Sequence, residues 1–181
     1  PPVFDRPRCR RMEPGSEAFE QLRSTFGVGI INASTGKVDR GALGAIVFKD
    51  KSAVNKLNGI AWPAIAGQLR QLLRSLRARA ARDGKRRLVF VEAAVLVAAG
   101  WDTAEPALFD EVWAVWAPVE LRVRRLARWR GMAVEEAKRR IAAQPPLAGV
   151  LSRCHVALSN LGPMEALAHA GRELAADRTA R

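Results

Sequence analysis

Three short runs, Leu88 to Val91, Val112 to Trp116 and Val156 to Leu158, are apolar at successive positions. Successive side chains of a strand point to opposite faces, so such a run needs cover on both sides. Strands buried between helices in a parallel sheet meet that need. The stretches between the runs carry helical periodicity. The expected class is therefore α/β, with right-handed crossovers and functional groups gathered where strands end. Two acids stand at such ends: Asp5, directly after Val3-Phe4, and Glu92, directly after Val91.

Local signals divide the rest of the chain. Glu13-Pro14-Gly15-Ser16 is a turn, with Ser16 as N-cap of a helix running to Phe26. Gly27-Val28-Gly29 ends that helix and lacks phosphate-loop spacing. After a polar loop at 32–37, Asp39 is placed to cap a short helix whose Leu43, Ile46 and Val47 share a face. Helical pattern then extends from Ser52 to Arg82, with a break expected at Trp62-Pro63 because Pro63 suits the first turn of a new helix. Asp83-Gly84-Lys85 is the stop. Further on, Trp101 is expected to pack under the turn Gly100-Trp101-Asp102, and a short helix is expected through Leu108-Phe109. After Pro145-Pro146 come one or two helical turns over 147–153, and a terminal helix from Gly162-Pro163 that frays by Asp177.

Residues 110–144 hold the most charged architecture. An apolar strand stops at Ala117-Pro118, an Arg-rich helix follows, Gly131 breaks it, and a second helix ends at Gln144. A basic helical hairpin fed by a buried strand can close arginines over phosphate oxygens. With a net charge of +12, the chain is suited to an anionic partner. A second basic run, from Arg70 through Arg87, lies opposite an apolar stripe and is most simply a solvated face.

Length and hydrophobic content, 181 residues and 49%, allow a single domain with its own core. Cys9 and Cys154 are far apart and lack partners at metal-ligand spacing, so reduced thiols are expected and no zinc site or disulfide. The apolar runs are too short to span a bilayer, and no signal peptide is visible. There is no Walker loop, no GxGxxG and no His/Cys cluster. His155 and His169 have no visible triad partners, which disfavours Ser-His-Asp catalysis.

Several stretches in order carry a resemblance: Glu13-Pro14-Gly15, Phe26-Gly27, Val38-Asp39-Arg40-Gly41-Ala42-Leu43 with Val47-Phe48, and Trp62-Pro63. They continue with Phe109-Asp110-Glu111-Val112-Trp113, Arg140-Ile141-Ala142-Ala143-Gln144 and Asn160. Together they resemble the dephospho-CoA kinase family over nearly the whole chain. The likeness is closest to the kinase domain of eukaryotic bifunctional coenzyme A synthase, where the family's usual His-Pro reads Trp-Pro. Ala93-Ala94-Val95-Leu96 followed by Ala99-Gly100-Trp101 adds to that likeness.

The resemblance implies a P-loop NTPase-like three-layer fold with a parallel sheet, a helical CoA-binding region and a mobile lid at about 118–144. The implied reaction moves the γ-phosphoryl of ATP to the ribose 3′-hydroxyl of dephospho-CoA. Asp5 falls on the second Asp of the family's Asp-x-Asp and is implied as the base. Arg40, Trp62, Glu92 and Trp101 are expected on the substrate side. Arg124, Arg128, Arg130, Arg140, Gln144 and Asn160 are expected on lid and nucleotide positions. An Asp, a few arginines and Mg²⁺ carried with ATP suffice for such a transfer, which is mostly positioning and charge neutralisation.

The family opens with a strand and a glycine-rich Lys-Ser/Thr loop, so the 181 residues are expected to be a fragment or a P-loop-less form, with the Mg²⁺ ligands upstream. Val3 stands where the family's first Asp is expected, Ala98 where a Glu is common, and Trp129 on a lid Arg that Arg128 or Arg130 can replace. A preceding adenylyltransferase domain is the implied partner, and the cytoplasm or a mitochondrion the implied location. No nucleic-acid partner or transmembrane segment is expected. Two other readings stay open: a catalytically inactive relative that still binds CoA or a nucleotide, and a basic nucleic-acid-binding module. The latter lacks a recognition motif or an exposed aromatic platform, since Trp113 and Trp116 sit in a strand.

Overall fold

A computed structural model describes residues 12–47 and 49–180. They fall into two compact units, one ending at Lys85 and the other beginning at Arg86.

The first unit is helical. Helix α1 (Glu17–Phe26) starts where Ser16 Oγ accepts the Phe19 N–H at 3.2 Å, with Glu17 and Glu20 complementing its N-terminal dipole. It stops at Gly27, whose φ of 81° few other residues tolerate. A 3₁₀ turn, Val28–Ile30, then delivers Ile30 into the core beside Leu22 and Leu43. The polar loop at 32–37 closes on itself: Asn32 Oδ1 accepts from the Ser34 and Thr35 amides, and the Asn32 N–H reaches Lys37 O. Asp39 caps α2 (Arg40–Val47) as expected, its Oδ1 accepting from the amides of Gly41 and Ala42. Gly41 keeps that cap in place, since a Cβ there would lie 3.2 Å from the capping oxygen.

Helix α3 (Lys51–Asp83) runs without interruption through Pro63, against the expected break. A proline inside a helix removes one i to i−4 hydrogen bond and costs about 3 kcal/mol. Burial on both sides of it offsets this. Leu57 and Ile60 join the core before Pro63, while Ala66 and Leu69 are buried after it. The helix ends at Gly84 in the left-handed conformation, its N–H on Ala80 O.

In the second unit, strands β1 (Trp113–Trp116) and β2 (Val156–Ser159) pair in parallel, Trp113 opposite Val156 and Trp116 opposite Ser159. Three helices connect them: α4 (Val119–Arg130), α5 (Val134–Ala142) and α6 (Leu147–Leu151). The start of the pair is locked reciprocally, with the Val112 N–H on His155 Nδ1 at 3.0 Å and the His155 N–H on Val112 O at 2.8 Å. His155 is thus a structural acceptor.

Two expected elements do not form among the described residues. The run Leu88–Val91 carries no strand pairing, and Leu88, Val89 and Phe90 are 37%, 45% and 45% exposed. Phe90 meets Trp113 edge-on at 5.8 Å, a side-chain contact that supplies none of the backbone hydrogen bonds of a ladder. The helix expected through Leu108-Phe109 is irregular chain, in which Leu108 is buried. One turn at most fits between Pro106 and the bonded Val112, and a single turn gains too little from propagation.

Helices α4 and α5 pack through Val123, Ala137 and Ile141, with Leu126 and Met132 alongside. Between them Gly131, at φ 60°, donates its N–H to Leu126 O. The terminal helix α7 (Met164–Ala180) continues past the expected fraying point. Near its end Arg178 donates to Glu111 at 3.0 Å and lies over the Trp113 ring at 6.0 Å. Hydrogen bonds from Trp113 Nε1 and then Arg178 hold the Glu111 carboxyl below its ordinary pKa. This clamp tethers the last turns.

Candidate functional site

Parallel pairing puts the carboxyl ends of β1 and β2 side by side, so the first turns of α4 face the segment after Ser159. A groove of about 470 Å³ opens there. Leu121, Arg124, Arg125 and Arg128 recur at i, i+3, i+4 and i+7 on one face of α4, and Trp129 extends the wall. Asn160, Gly162, Pro163 and Met164 form the opposite side. The volume is that of a small-molecule site.

Its electrostatics are one-sided: three arginines line the groove and, among the described residues, no carboxylate does. Arg125 is fixed, Nη1 donating to Asn160 O at 2.9 Å and Nη2 to Gly162 O at 3.3 Å, with its guanidinium 5.7 Å from the Trp129 ring centroid. Arg124 and Arg128 are exposed and make no ion pair among the described residues. An anion entering the groove meets two unspent guanidinium groups beside an apolar surface of Leu121, Trp129 and Met164.

Of the residues expected from the sequence, the structure brings Arg124, Arg128 and Asn160 together in this groove. Arg130, Arg140 and Gln144 belong to the same helical hairpin but line no part of it. Arg130 is exposed in the last turn of α4, where a cation complements the helix dipole. Arg140 pairs with Glu136 at 2.6 Å. Gln144 Oε1 accepts from Arg122 Nη1 at 3.1 Å and so ties the end of the hairpin to its start.

None of the substrate-side residues lines the groove. Arg40 is exposed at the start of α2 and Trp62 is half-buried on α3, both in the first unit. Glu92 is exposed, outside any helix or strand. Trp101 is buried, only 6% exposed, and packed as expected in the 3₁₀ turn Trp101–Thr103. Asp5 lies outside the described residues, as does Cys9. Cys154 is a free thiol whose pKa is pushed up, first by burial and then by the Asp102 carboxylate, so it stays protonated.

Sequence reasoning did not pick out Arg125. Its signal was the i, i+4 spacing to Trp129, a common distance for a cation–π pair on a helix. No group of three or more His, Cys, Asp or Glu placed to hold a metal occurs among the described residues. No helix of the described residues is long and apolar enough to cross a membrane.

Comparison with known proteins adds the chemistry. The family model for dephospho-CoA kinase matches residues 7–165. The dephospho-CoA kinase of Anaeromyxobacter dehalogenans is 36% identical over 178 residues, covering 97% of this chain and 80% of that protein. That of Geobacter sulfurreducens is 35% identical, covering 91% and 79%. Among solved structures, TT1252 from Thermus thermophilus superposes with a TM-score of 0.64 at 29% identity, covering 94% of this chain and 78% of the other. The Campylobacter jejuni dephospho-CoA kinase shares the fold with a TM-score of 0.63 at 20% identity, covering 94% and 80%.

Proposed function

The chain belongs to the dephospho-CoA kinase family, and from that membership we propose that the groove along α4 holds the nucleoside triphosphate of the reaction. The fold is mixed α/β with a parallel sheet, of the P-loop NTPase-like kind. The enzyme is a phosphotransferase that converts dephospho-CoA to coenzyme A at the expense of ATP. Mg²⁺ enters as the ATP complex, where it shields the phosphate oxygens.

What supports this placement is the groove itself: three arginines and, among the described residues, no carboxylate at the carboxyl ends of two parallel strands. Arg124 and Arg128 neutralise phosphate oxygens as charge builds in transfer. The hairpin of α4 and α5 acts as the lid and moves as one piece, its helices packed through Val123, Ala137 and Ile141 and its two ends held together by the Arg122–Gln144 bond. Asp5 orients or deprotonates the acceptor 3′-hydroxyl. Arg40, Trp62, Glu92 and Trp101 shape the acceptor side, Trp101 through packing.

Replacing Arg124 or Arg128 by Ala tests the placement. Each removes a charged hydrogen bond worth about 1.5–3 kcal/mol, so kcat/KM for ATP is expected to fall roughly tenfold to a hundredfold. The KM for dephospho-CoA should change little. Unaltered ATP kinetics in both variants would move the nucleotide out of this groove.

Within the family, Trp62-Pro63 and Ala99-Gly100-Trp101 support kinship with the kinase domain of bifunctional coenzyme A synthases, acting in the cytoplasm or a mitochondrion. An adenylyltransferase reading frame upstream of Pro1 in the transcript is the expected finding. A stop codon there in every frame would sink this kinship.

A further inference from the structure

Trp129 is the one exposed tryptophan of the five, 66% open to solvent, yet it lines the groove. Such exposure of a large ring beside unspent arginines suits a planar ligand with phosphates attached. Arg125 does not serve the phosphates. Two of its N–H groups are bonded to Asn160 O and Gly162 O, which holds its guanidinium near the Trp129 ring.

This arrangement decides how a base would be recognised. The polar groups at this end include two backbone carbonyls, each with a lone pair beyond its bond to Arg125, the remaining N–H groups of that guanidinium, and the Asn160 side-chain amide, itself both donor and acceptor. Carbonyls accept from the exocyclic amino group of adenine. Guanidinium N–H groups donate to the exocyclic oxygen of guanine. Both partners are offered side by side, so the edge of the base carries little information here. Recognition by the ring face is left, and every purine has a similar face.

We propose that Trp129 is the stacking platform for the donor's base, and that the enzyme accepts purine triphosphates with little choice between ATP and GTP. The inference rests on the placement of the triphosphate in this groove and adds the determinant of base selectivity. A site built to hydrogen-bond one edge rejects the wrong base by roughly 10⁴-fold or more. This groove should discriminate by less than about tenfold, because donors and acceptors stand together at this end and either purine edge finds a partner.

The test is a titration of the whole chain with Mg-ATP and with Mg-GTP, following tryptophan emission. Both are expected to quench it with dissociation constants within about tenfold of each other, and the quench should vanish in Trp129→Phe, which assigns the signal. By calorimetry, which does not need the Trp129 signal, Trp129→Ala should weaken both nucleotides by roughly tenfold to a hundredfold, while Trp129→Phe recovers affinity to within a few-fold. In turnover the Ala variant should raise the nucleotide KM more than it lowers kcat, as expected for uniform binding. ATP binding more than a hundredfold tighter than GTP would overturn the tolerance while leaving the groove as the nucleotide site. Unchanged affinities in Trp129→Ala would overturn the stacking role. Should Arg124→Ala and Arg128→Ala also leave affinity unchanged, the placement itself fails with it.

Discussion

Asp5→Ala is expected to lower kcat for coenzyme A formation by roughly two to four orders of magnitude, the usual contribution of a positioned base. Dephospho-CoA should still bind. The residue lies outside the described part of the structure, so its proposed role comes from its spacing to Glu13-Pro14-Gly15, which places it on the second Asp of the family's Asp-x-Asp. The chemistry makes the role specific. Attack on a γ-phosphoryl group needs one hydroxyl oriented in line and relieved of its proton, and the rest is charge neutralisation. Arginines of the lid can do the second task but not the first, because a guanidinium stays protonated at any working pH. Asp5→Asn separates orientation from proton removal, since the amide keeps the shape and hydrogen bonding but is not a base. Loss in both variants, with dephospho-CoA affinity intact by calorimetry, supports a base. Full turnover by the Asn variant would reduce Asp5 to an orienting group, and full turnover by the Ala variant would remove it from the mechanism.

How far such roles can be read from the chain depends on how local their signals are. Ser16, Asp39, Gly84 and Gly131 announce helix ends because a cap acts over three or four residues, and the structure places all four at caps. Pro63 misled because propensity is a local preference, whereas α3 is held on both sides of it by burial against other elements. The run Leu88–Val91 has strand composition but no strand, since pairing is decided by a neighbour and not by the run itself. The site divides in the same way. Order along the chain singled out Arg124, Arg128 and Asn160, which the structure brings into one groove, and passed over Arg125. Its partners are backbone carbonyls 35 and 37 residues away, and backbone oxygens leave no mark in a sequence.

A larger structural effect is expected at a residue that no local pattern marks. Arg153 donates from Nε to Asp102 Oδ2 at 2.6 Å and from Nη2 to Oδ1 at 2.7 Å, and its Nη1 reaches Val97 O at 3.3 Å. The pair ties the turn that buries Trp101 to the chain just before β2. Only 3% of the Asp102 side chain is exposed, against 38% for Arg153. Removing the arginine therefore strands a carboxylate where water reaches it poorly. Fully buried pairs lose about 3–5 kcal/mol when one partner goes, and the half-open arginine side lowers that to about 2–4 kcal/mol for Arg153→Ala. Urea unfolding should show the loss as a lower midpoint at unchanged slope. Arg153→Lys should recover only part of it, since an ammonium cannot span both oxygens as the fork does. The decisive comparison is the double variant Asp102→Asn with Arg153→Ala. If the stranded charge is the cause, neutralising it restores part of the stability; a double variant less stable than Arg153→Ala would instead assign the loss to the packing of the arginine side chain.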